Sequence, residues 1–233
     1  MNATIAPFQP PLASLRALVP FCLALLLLAA ASPASQVVLR YIEQTGDDSI
    51  IFFWQAEAGR DSTMITQRQG DETYSSRCTP EGATLHWRYL RLPDTDVKVE
   101  RQGNQLHFSG RLANKPVTRV QDIDGRPWFQ PLSYSLQRLV MGNQRQGSFW
   151  TIRPDTLEVV AMQAEIAGSE VITSADDTLP QLTRKVVIRP DGILAPFWQA
   201  EYWFRQDDHL FLQYRGTHGP PGTAETVVSL VTP

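Results

Sequence analysis

The sequence of 233 residues has few cysteines, no excess of basic residues and no familiar catalytic motif. Its two cysteines are too few for a disulfide framework or for a zinc or iron–sulfur site built from cysteine. The formal net charge is −3 and no basic stripe is present, which excludes a protein that binds nucleic acid through charge. The hydrophobic content of 42% is nevertheless enough for a real core, so the chain is predicted to fold.

Motifs for phosphate, dinucleotide or metal binding are also missing from the sequence. No Gly-x-Ser-x-Gly marks a serine nucleophile, and the four histidines form neither His-x-His nor His-x-x-x-His pairs. We therefore predict no cofactor and no metal. Adjacent acids occur only in predicted turns, where solvated carboxylates are expected, and His209 beside one such pair is interpreted as a hairpin cap. A pair of catalytic carboxylates assembled in space, as in glycosidases, stays open. The acidic pairs are Asp47-Asp48, Asp176-Asp177 and Asp207-Asp208.

The clearest signal is an export segment at the N-terminus. No charge occurs from Ala17 to Ala34, a stretch of 18 residues that contains an apolar run of 11, and Arg16 precedes it. Small residues follow at Ser32-Pro33-Ala34. This layout predicts a secretory signal peptide over residues 1–34, with cleavage after Ala34. The alternative is an uncleaved anchor, for which the segment only just reaches the length that spans a bilayer.

Cleavage would leave 199 residues, with 20 basic and 24 acidic side chains and a net charge of −4. Cys22 would leave with the signal, so that Cys78 becomes the only thiol and no intrachain disulfide can form. We interpret Cys78 as a half-buried strand residue rather than a reactive thiol, because free cysteine is usually buried. Residues 35–233 are predicted to form a single β-rich exported domain in the periplasm or outside the cell.

Most of this part of the chain is predicted to form short β-strands. Runs rich in β-branched and aromatic residues recur every 8–12 residues with turn residues between them, which is typical of an antiparallel sheet. The predicted strands are Val37–Glu43, Ser49–Glu57, Asp61–Gln67, Thr73–Cys78, Ala83–Leu90, Asp96–Glu100, Gln105–Leu112, Pro116–Val120, Ser148–Ile152, Leu157–Ile166, Glu170–Thr173, Leu182–Arg189, Gln199–Gln206, His209–Arg215 and Thr223–Val231.

One segment has helical spacing instead. Its apolar residues Leu132, Leu136, Leu139 and Val140 fall on one face, with Pro131 suited to the first turn and Gly142 to the position after the last. The sequence therefore predicts one amphipathic helix from Pro131 to Gly142, and its apolar face must pack on a sheet. The predicted fold class is mainly β: a strongly curved, half-barrel-like antiparallel sheet with this helix packed on it.

Three details of the C-terminal half are also predicted. Residues from Ala167 to Leu182, rich in Asp, Ser and Thr, are expected to form a mobile loop. Asp207-Asp208 is expected to form a two-residue hairpin turn. In that hairpin, strict alternation would place Tyr202, Phe204, Leu210, Leu212 and Tyr214 on one face and Trp203, Arg205 and Phe211 on the other.

The C-terminal half also resembles a known group of proteins. The helix in Gln-Pro-Leu-Ser-Tyr-Ser-Leu, the strand pairs that follow it and Ala200-Glu201-Tyr202-Trp203-Phe204 carry the resemblance, from Trp128 to Val231. This stretch is similar to uncharacterised bacterial periplasmic proteins of unknown function, whose curved sheet resembles that of the lipoprotein-carrier half-barrels. The resemblance implies an extracytoplasmic module that binds a ligand or a partner. It supplies no catalytic motif.

Aromatic residues at element boundaries are the candidate ligand contacts. Each of the six tryptophans is first expected to pack in the core. The pairs Trp128-Phe129 and Phe197-Trp198 adjoin prolines at element boundaries, where side chains often reach the mouth of a pocket. With residues of the helix and the last hairpin they give the predicted ligand-binding set Trp128, Phe129, Tyr134, Phe197, Trp198 and Tyr202.

Three functions remain open on this evidence. The first is a non-enzymatic envelope module that holds an amphiphile or an envelope component in a groove between sheet and helix. The second is an interaction or assembly module that docks an envelope protein by a strand edge or an aromatic patch. The third is a hydrolase. The predicted partners are a lipid or other apolar ligand or an envelope protein, with no nucleic acid, and with membrane contact only through an uncleaved signal segment.

Overall fold

The computed structural model describes residues 36–142, 144–173, 180–192, 198–217 and 223–231. The predicted signal peptide and Phe197 lie outside these residues. The N-terminal strands confirm the predicted alternation of strand and turn. They are β1 (Gln36–Thr45), β2 (Asp48–Ala58), β3 (Thr63–Gln69), β4 (Glu72–Cys78), β5 (Thr84–Arg91), β6 (Thr95–Gln102), β7 (Gln105–Leu112) and β8 (Lys115–Asp122).

One helix then separates these eight strands from a second series. No helix in the described part of the chain has the length and hydropathy needed to cross a membrane. The remaining elements are α1 (Leu132–Met141), β9 (Gln146–Ile152), β10 (Val159–Ile172), β11 (Gln181–Pro190), β12 (Ala200–Arg205), β13 (Phe211–Thr217) and β14 (Glu225–Val231).

All fourteen strands of the described residues belong to one antiparallel sheet. Each series is a meander in which every strand pairs with the next, and the two meanders meet where β1 pairs with β14. The first and last described strands therefore lie side by side in the middle of the sheet, with β8 and β9 at its two edges.

The sheet curls so that its two ends approach each other. A single apolar cluster combines Val97 and Phe108, near one edge, with Ile152 from the strand at the other edge. A short segment bridges these ends through backbone hydrogen bonds. Trp150 N–H donates to Pro127 O (2.8 Å), and the N–H of Thr84, the first residue of β5, donates to Trp128 O (2.7 Å). The predicted mainly-β fold with a strongly curved antiparallel sheet and one packed helix is confirmed.

Helix α1 is one residue shorter at each end than the predicted helix from Pro131 to Gly142. Pro131 precedes it, and the Gly142 N–H at its end donates to the carbonyls of Arg138 (3.2 Å) and Leu139 (3.1 Å). Its buried residues include Leu136 and Val140, which join the main core formed by β1, β2 and β9–β14. The inner surface of the curled sheet thus supplies the partner that the apolar face of the helix requires.

The predicted loop from Ala167 to Leu182 is wrong over its first part. β10 continues to Ile172 as one strand where two had been predicted, and it stays paired with β11 through that region. A register shift between Ile166 and Gly168 interrupts the pairing locally, and the two strands remain paired beyond it. Residues 174–179 lie outside the described ranges.

The last hairpin differs from its prediction for a related reason. β12 ends at Arg205 and β13 begins at Phe211, so the connection spans residues 206–210 rather than two residues. The pairing also shifts between Trp203 and Phe204. Because of that shift, Phe211 packs in the same core cluster as Phe204, and the predicted placement of Phe211 on the other face is wrong.

A candidate binding cavity between the helix and the sheet

A cavity of about 250 Å³ lies between α1 and the inner face of the first strands. One wall consists of apolar side chains from β1 and β2, and the opposite wall is the more polar side of the helix. Its lining residues are Val37, Leu39, Tyr41, Trp54, Ala56, Ala58, Thr63, Ser133, Tyr134, Gln137, Arg138, Leu210 and Phe211.

The apolar wall follows from strand alternation and register. Leu39 lies directly opposite Trp54 in the β1–β2 pair, and Val37 lies opposite Ala56, so these four side chains share the inner face. The next inward residue of β2 is Ala58. Since two successive inward positions of β2 carry only a methyl group, the helix and sheet leave space here that larger side chains would fill.

The helical wall carries a positively charged side chain held in place by its neighbours. Ser133, Tyr134, Gln137 and Arg138 share one side of α1 because of their spacing. The Arg138 guanidinium lies 4.9 Å from the centre of the Tyr134 ring, and its Nη2 donates to Tyr134 Oη (3.1 Å). Tyr134 Oη in turn donates to Thr63 Oγ1 on β3 (3.0 Å). These contacts fix both side chains across the gap between helix and sheet.

The positive charge of Arg138 and two buried donors at the cavity are not matched by acidic or acceptor groups of the described residues. In the described part of the chain, no carboxylate lies within 4.0 Å of the Arg138 guanidinium nitrogens. Two buried donors that belong to lining residues, Trp54 Nε1 and Arg138 Nε, find no hydrogen-bond partner among the described groups. Unpaired buried donors carry a free-energy cost that an acceptor atom nearby would offset. The cavity therefore suits an apolar ligand with an acceptor, and preferably an anionic one.

The predicted ligand-binding residues are not gathered at one site. Tyr134 lines the cavity. Trp128 is fully buried, with Nε1 donating to Gln130 Oε1 (3.0 Å), and Phe129 stacks on Phe149 with ring centres 5.1 Å apart.

The other predicted contacts lie in or beside the main core. Trp198 packs at its margin and donates from Nε1 to Thr217 O (2.8 Å), while Tyr202 is buried within it against Tyr214. Apart from Tyr134, none of the described members of the predicted set lines the cavity.

Sequence reasoning missed most of the cavity wall. Leu39, Trp54 and Ala56 alternate visibly along predicted strands, so the period of two could have placed them on one face. The face that the helix covers, however, depends on pairing between distant strands. Arg138 lies inside the predicted helix, on the side next to its apolar face. This position could have identified it as a residue near the contact between helix and sheet.

Other described side chains that could act in catalysis or bind a metal do not gather at one site. His86 Nε2 lies 3.3 Å from Glu100 Oε1 on neighbouring strands, and both side chains are more than 40% exposed on the outer face. Within the described ranges, no group of three or more His, Cys, Asp or Glu side chains could hold a metal ion. Cys78 is fully buried, more than the half-burial predicted for it, with Thr84 Oγ1 3.9 Å from its sulfur.

Burial of Cys78 leads to a prediction about alkaline stability. Burial raises the pKa of the thiol from 9.0 to about 12, because the charged thiolate is desolvated. The unfolded chain therefore releases this proton first, and its contribution to stability is full below pH 9 and is lost as pH rises towards about 12. Between pH 9 and about pH 10, the free energy of unfolding should therefore fall by about 1 kcal/mol more in the wild type than in Cys78→Ala.

Urea unfolding of both proteins across this pH range measures the effect. Burial also raises the pKa of Tyr41 and Tyr202 above the unfolded-state value of 10.0, so these tyrosines add to the loss of stability as pH approaches 10. Their contribution is the same in the wild type and in Cys78→Ala, so it cancels in the difference between the two proteins. Parallel curves for the wild type and Cys78→Ala would contradict the prediction.

Comparison with known proteins identifies a solved structure with a similar fold. No family model matches the sequence, and no curated protein matches it. The fold is that of a known bacterial structure. A beta-barrel-like protein of domain of unknown function DUF1849 from Brucella abortus superposes with a TM-score of 0.55 at 9% identity, covering 86% of this chain and 97% of that one. The predicted resemblance to uncharacterised bacterial proteins with a curved sheet is confirmed.

Two further solved structures align over similar lengths with lower scores. The hypothetical lipoprotein YmcC from Escherichia coli has a TM-score of 0.42 at 11% identity, covering 87% of this chain and 86% of that one. A LolA superfamily protein from Nitrosomonas europaea has a TM-score of 0.27 at 8% identity, with the same coverage of both chains.

Proposed function

We propose that this chain is an exported binding protein that holds a single-chain amphiphile between α1 and the inner face of β1 and β2. The observation that carries the proposal is the two-sided character of the cavity. One wall carries apolar side chains such as Val37 and Leu39, and the other presents the Arg138 guanidinium without a carboxylate partner in the described structure. The hydrocarbon tail would lie along the strands, and an acceptor or anionic group would lie near the helix.

The size of the cavity supports a ligand with one chain rather than two. Ligand pockets usually occupy about 300–1,000 Å³. A volume of about 250 Å³ lies just below that range and is small for a lipid with two acyl chains. The exposed Val37 at one end of the lining indicates that a longer tail could extend from the cavity at that end.

The cellular location belongs to the same proposal. The charge-free segment that ends in Ser32-Pro33-Ala34 supports export with cleavage after Ala34. The exported protein would then meet amphiphiles of the envelope in the periplasm or outside the cell. Native mass spectrometry of the protein purified from its own envelope fraction would identify the natural ligand by its mass.

The direct test is calorimetric titration with dodecanoate and with dodecanol. We expect dodecanoate to bind with a negative heat-capacity change, because its chain enters an apolar space. Dodecanol should bind more weakly, because it brings no negative charge to Arg138. Arg138→Gln should reduce the preference for the carboxylate while dodecanol affinity stays nearly constant. Failure of both ligands to bind would refute the proposal, and equal affinity for the two would refute the role of Arg138.

A further inference from the structure

The outer face of the strands that line the cavity exposes an unusual group of residues, here called the basic-apolar face. Its centre is Phe53, whose side chain is 51% exposed, and Val38 is 56% exposed beside it. Because side chains alternate along a strand, these residues point away from the cavity that their neighbours Trp54, Val37 and Leu39 line. The face consists of Val38, Arg40, Ile51, Phe53, Met64 and Arg68.

The strand register interleaves the arginines with the apolar side chains. Arg40 lies directly opposite Phe53 on one side, and Arg68 lies directly opposite it on the other. Cross-strand pairs of this kind hold side chains about 5 Å apart on the same face. An aromatic ring is therefore flanked by two cations on an exposed surface.

The charge of this face is opposite to that of the whole chain. On the outer positions of β1–β4, Arg40, Arg68 and Arg77 outnumber the single acid, Glu57. Among the described residues, none of these arginines has a carboxylate within salt-bridge distance. The chain as a whole carries a net charge of −3. Positive charge is thus concentrated where apolar surface is exposed.

The basic-apolar face ends at the rim of the cavity. Val37 lines the cavity and is 47% exposed, and it is the direct chain neighbour of Val38. On β3, Met64 is 40% exposed and lies next to Thr63, which also lines the cavity. At this end of β1, exposed apolar side chains therefore lie both at the cavity and on the outer face.

We propose that the basic-apolar face docks on the surface of an anionic phospholipid bilayer. Arginines that attract lipid phosphates, together with exposed apolar and aromatic side chains that enter the interfacial region, are the features of a protein that lies on such a surface. Docking sets the cavity rim against the lipid, which gives an amphiphile a short path between bilayer and protein; this last step rests on the function proposed above. Membrane contact then does not require an uncleaved signal segment, to which the sequence analysis had limited it.

Co-sedimentation with vesicles tests the docking. Vesicles of phosphatidylglycerol mixed with phosphatidylethanolamine should bind the protein, and vesicles of phosphatidylcholine alone should bind it much less. Binding should weaken as salt is raised, because exposed charges are screened. The double variant R40Q/R68Q should weaken partitioning about 30-fold, and Phe53→Ser should also weaken it.

Matched controls lie elsewhere on the exposed surface. R145Q/R189Q removes the same charge from two other exposed arginines, and Leu182→Ser removes an apolar side chain of similar exposure. Both should leave vesicle binding unchanged. If the control variants bind anionic vesicles as weakly as R40Q/R68Q does, the assignment of this face is overturned. Equal binding of the wild type to anionic and neutral vesicles would also overturn it.

Dodecanoate titration of the same variants separates this inference from the proposed function. R40Q/R68Q and Phe53→Ser should keep wild-type affinity for dodecanoate, because their side chains point away from the cavity. Vesicle binding without dodecanoate binding would uphold the docking face and refute the proposed ligand. Dodecanoate binding without any vesicle binding would uphold the proposed ligand and refute the docking face. If the face binds an envelope protein instead, the wild type will not sediment with protein-free anionic vesicles, and the inference falls.

Discussion

Ala56→Trp is expected to lower the affinity for dodecanoate by about 100-fold or more. Ala56 lies on the inner face of β2, directly opposite Val37, and its small side chain helps to keep the cavity open. An indole at this position would occupy much of a cavity of about 250 Å³ and exclude the tail of the ligand. Calorimetric titration of the purified variant measures the effect.

The neighbouring residue provides a matched control for that variant. Gln55 lies on the outer face of the same strand, so Gln55→Trp adds the same side chain outside the cavity. It should bind dodecanoate like the wild type. Urea unfolding of both variants shows whether each is folded, since overpacking itself costs about 1–3 kcal/mol. Wild-type affinity in a folded Ala56→Trp protein would place the ligand elsewhere.

Trp128→Ala should have the largest effect on stability, a loss of about 3–5 kcal/mol in the free energy of unfolding. Trp128 is fully buried in the cluster that joins the two ends of the sheet. Its carbonyl accepts from Thr84 N–H (2.7 Å) and its indole donates to Gln130, whose side-chain amide pairs with the backbone of Ile152. The substitution leaves a large void at the point where this network holds both ends of the sheet.

Two further substitutions define the origin of that loss. Trp128→Phe keeps most of the volume and should cost clearly less, while Trp198→Ala, at the margin of the main core, should also cost less than Trp128→Ala. Urea denaturation followed by circular dichroism gives the three values. A loss below about 1 kcal/mol for Trp128→Ala would contradict the structural role assigned here. If Trp128→Phe stays folded but loses dodecanoate binding, the sequence-based prediction that Trp128 contacts ligand gains support.

The elements that the sequence predicts well are those specified by local patterns. Pro131, the spacing from Leu132 to Val140, and Gly142 together determine the helix, and each acts within a few residues of its own position. The alternation of apolar and polar residues likewise identifies most strands. The fold class follows, because a single amphipathic helix needs a sheet to cover its apolar face.

The parts that the sequence does not predict depend on contacts between distant residues. The extension of β10 beyond Ile166 requires pairing with β11, and the orientation of Phe211 depends on a register shift in a neighbouring strand. The cavity arises because Leu39 and Ala56 face the helix rather than solvent, and alternation alone fixes two faces without saying which is covered. Aromatic residues beside prolines were more conspicuous, but most of those described here serve to fill the core.

The pairing of β1 with β14 places the first and last described strands next to each other in the interior of the sheet. In a sheet whose strands follow one another in chain order, the last strand lies at an edge, and its loss would leave the other strands paired. Here a chain that ended before Glu225 would divide the sheet at its centre, leaving β1 and β13 each with an open edge. The strands β1–β8 can form their local hairpins without the rest of the sheet, but the two meanders can join only when β14 is available to pair with β1. The central pairing of the sheet is therefore the one that synthesis from the N-terminal side makes possible last.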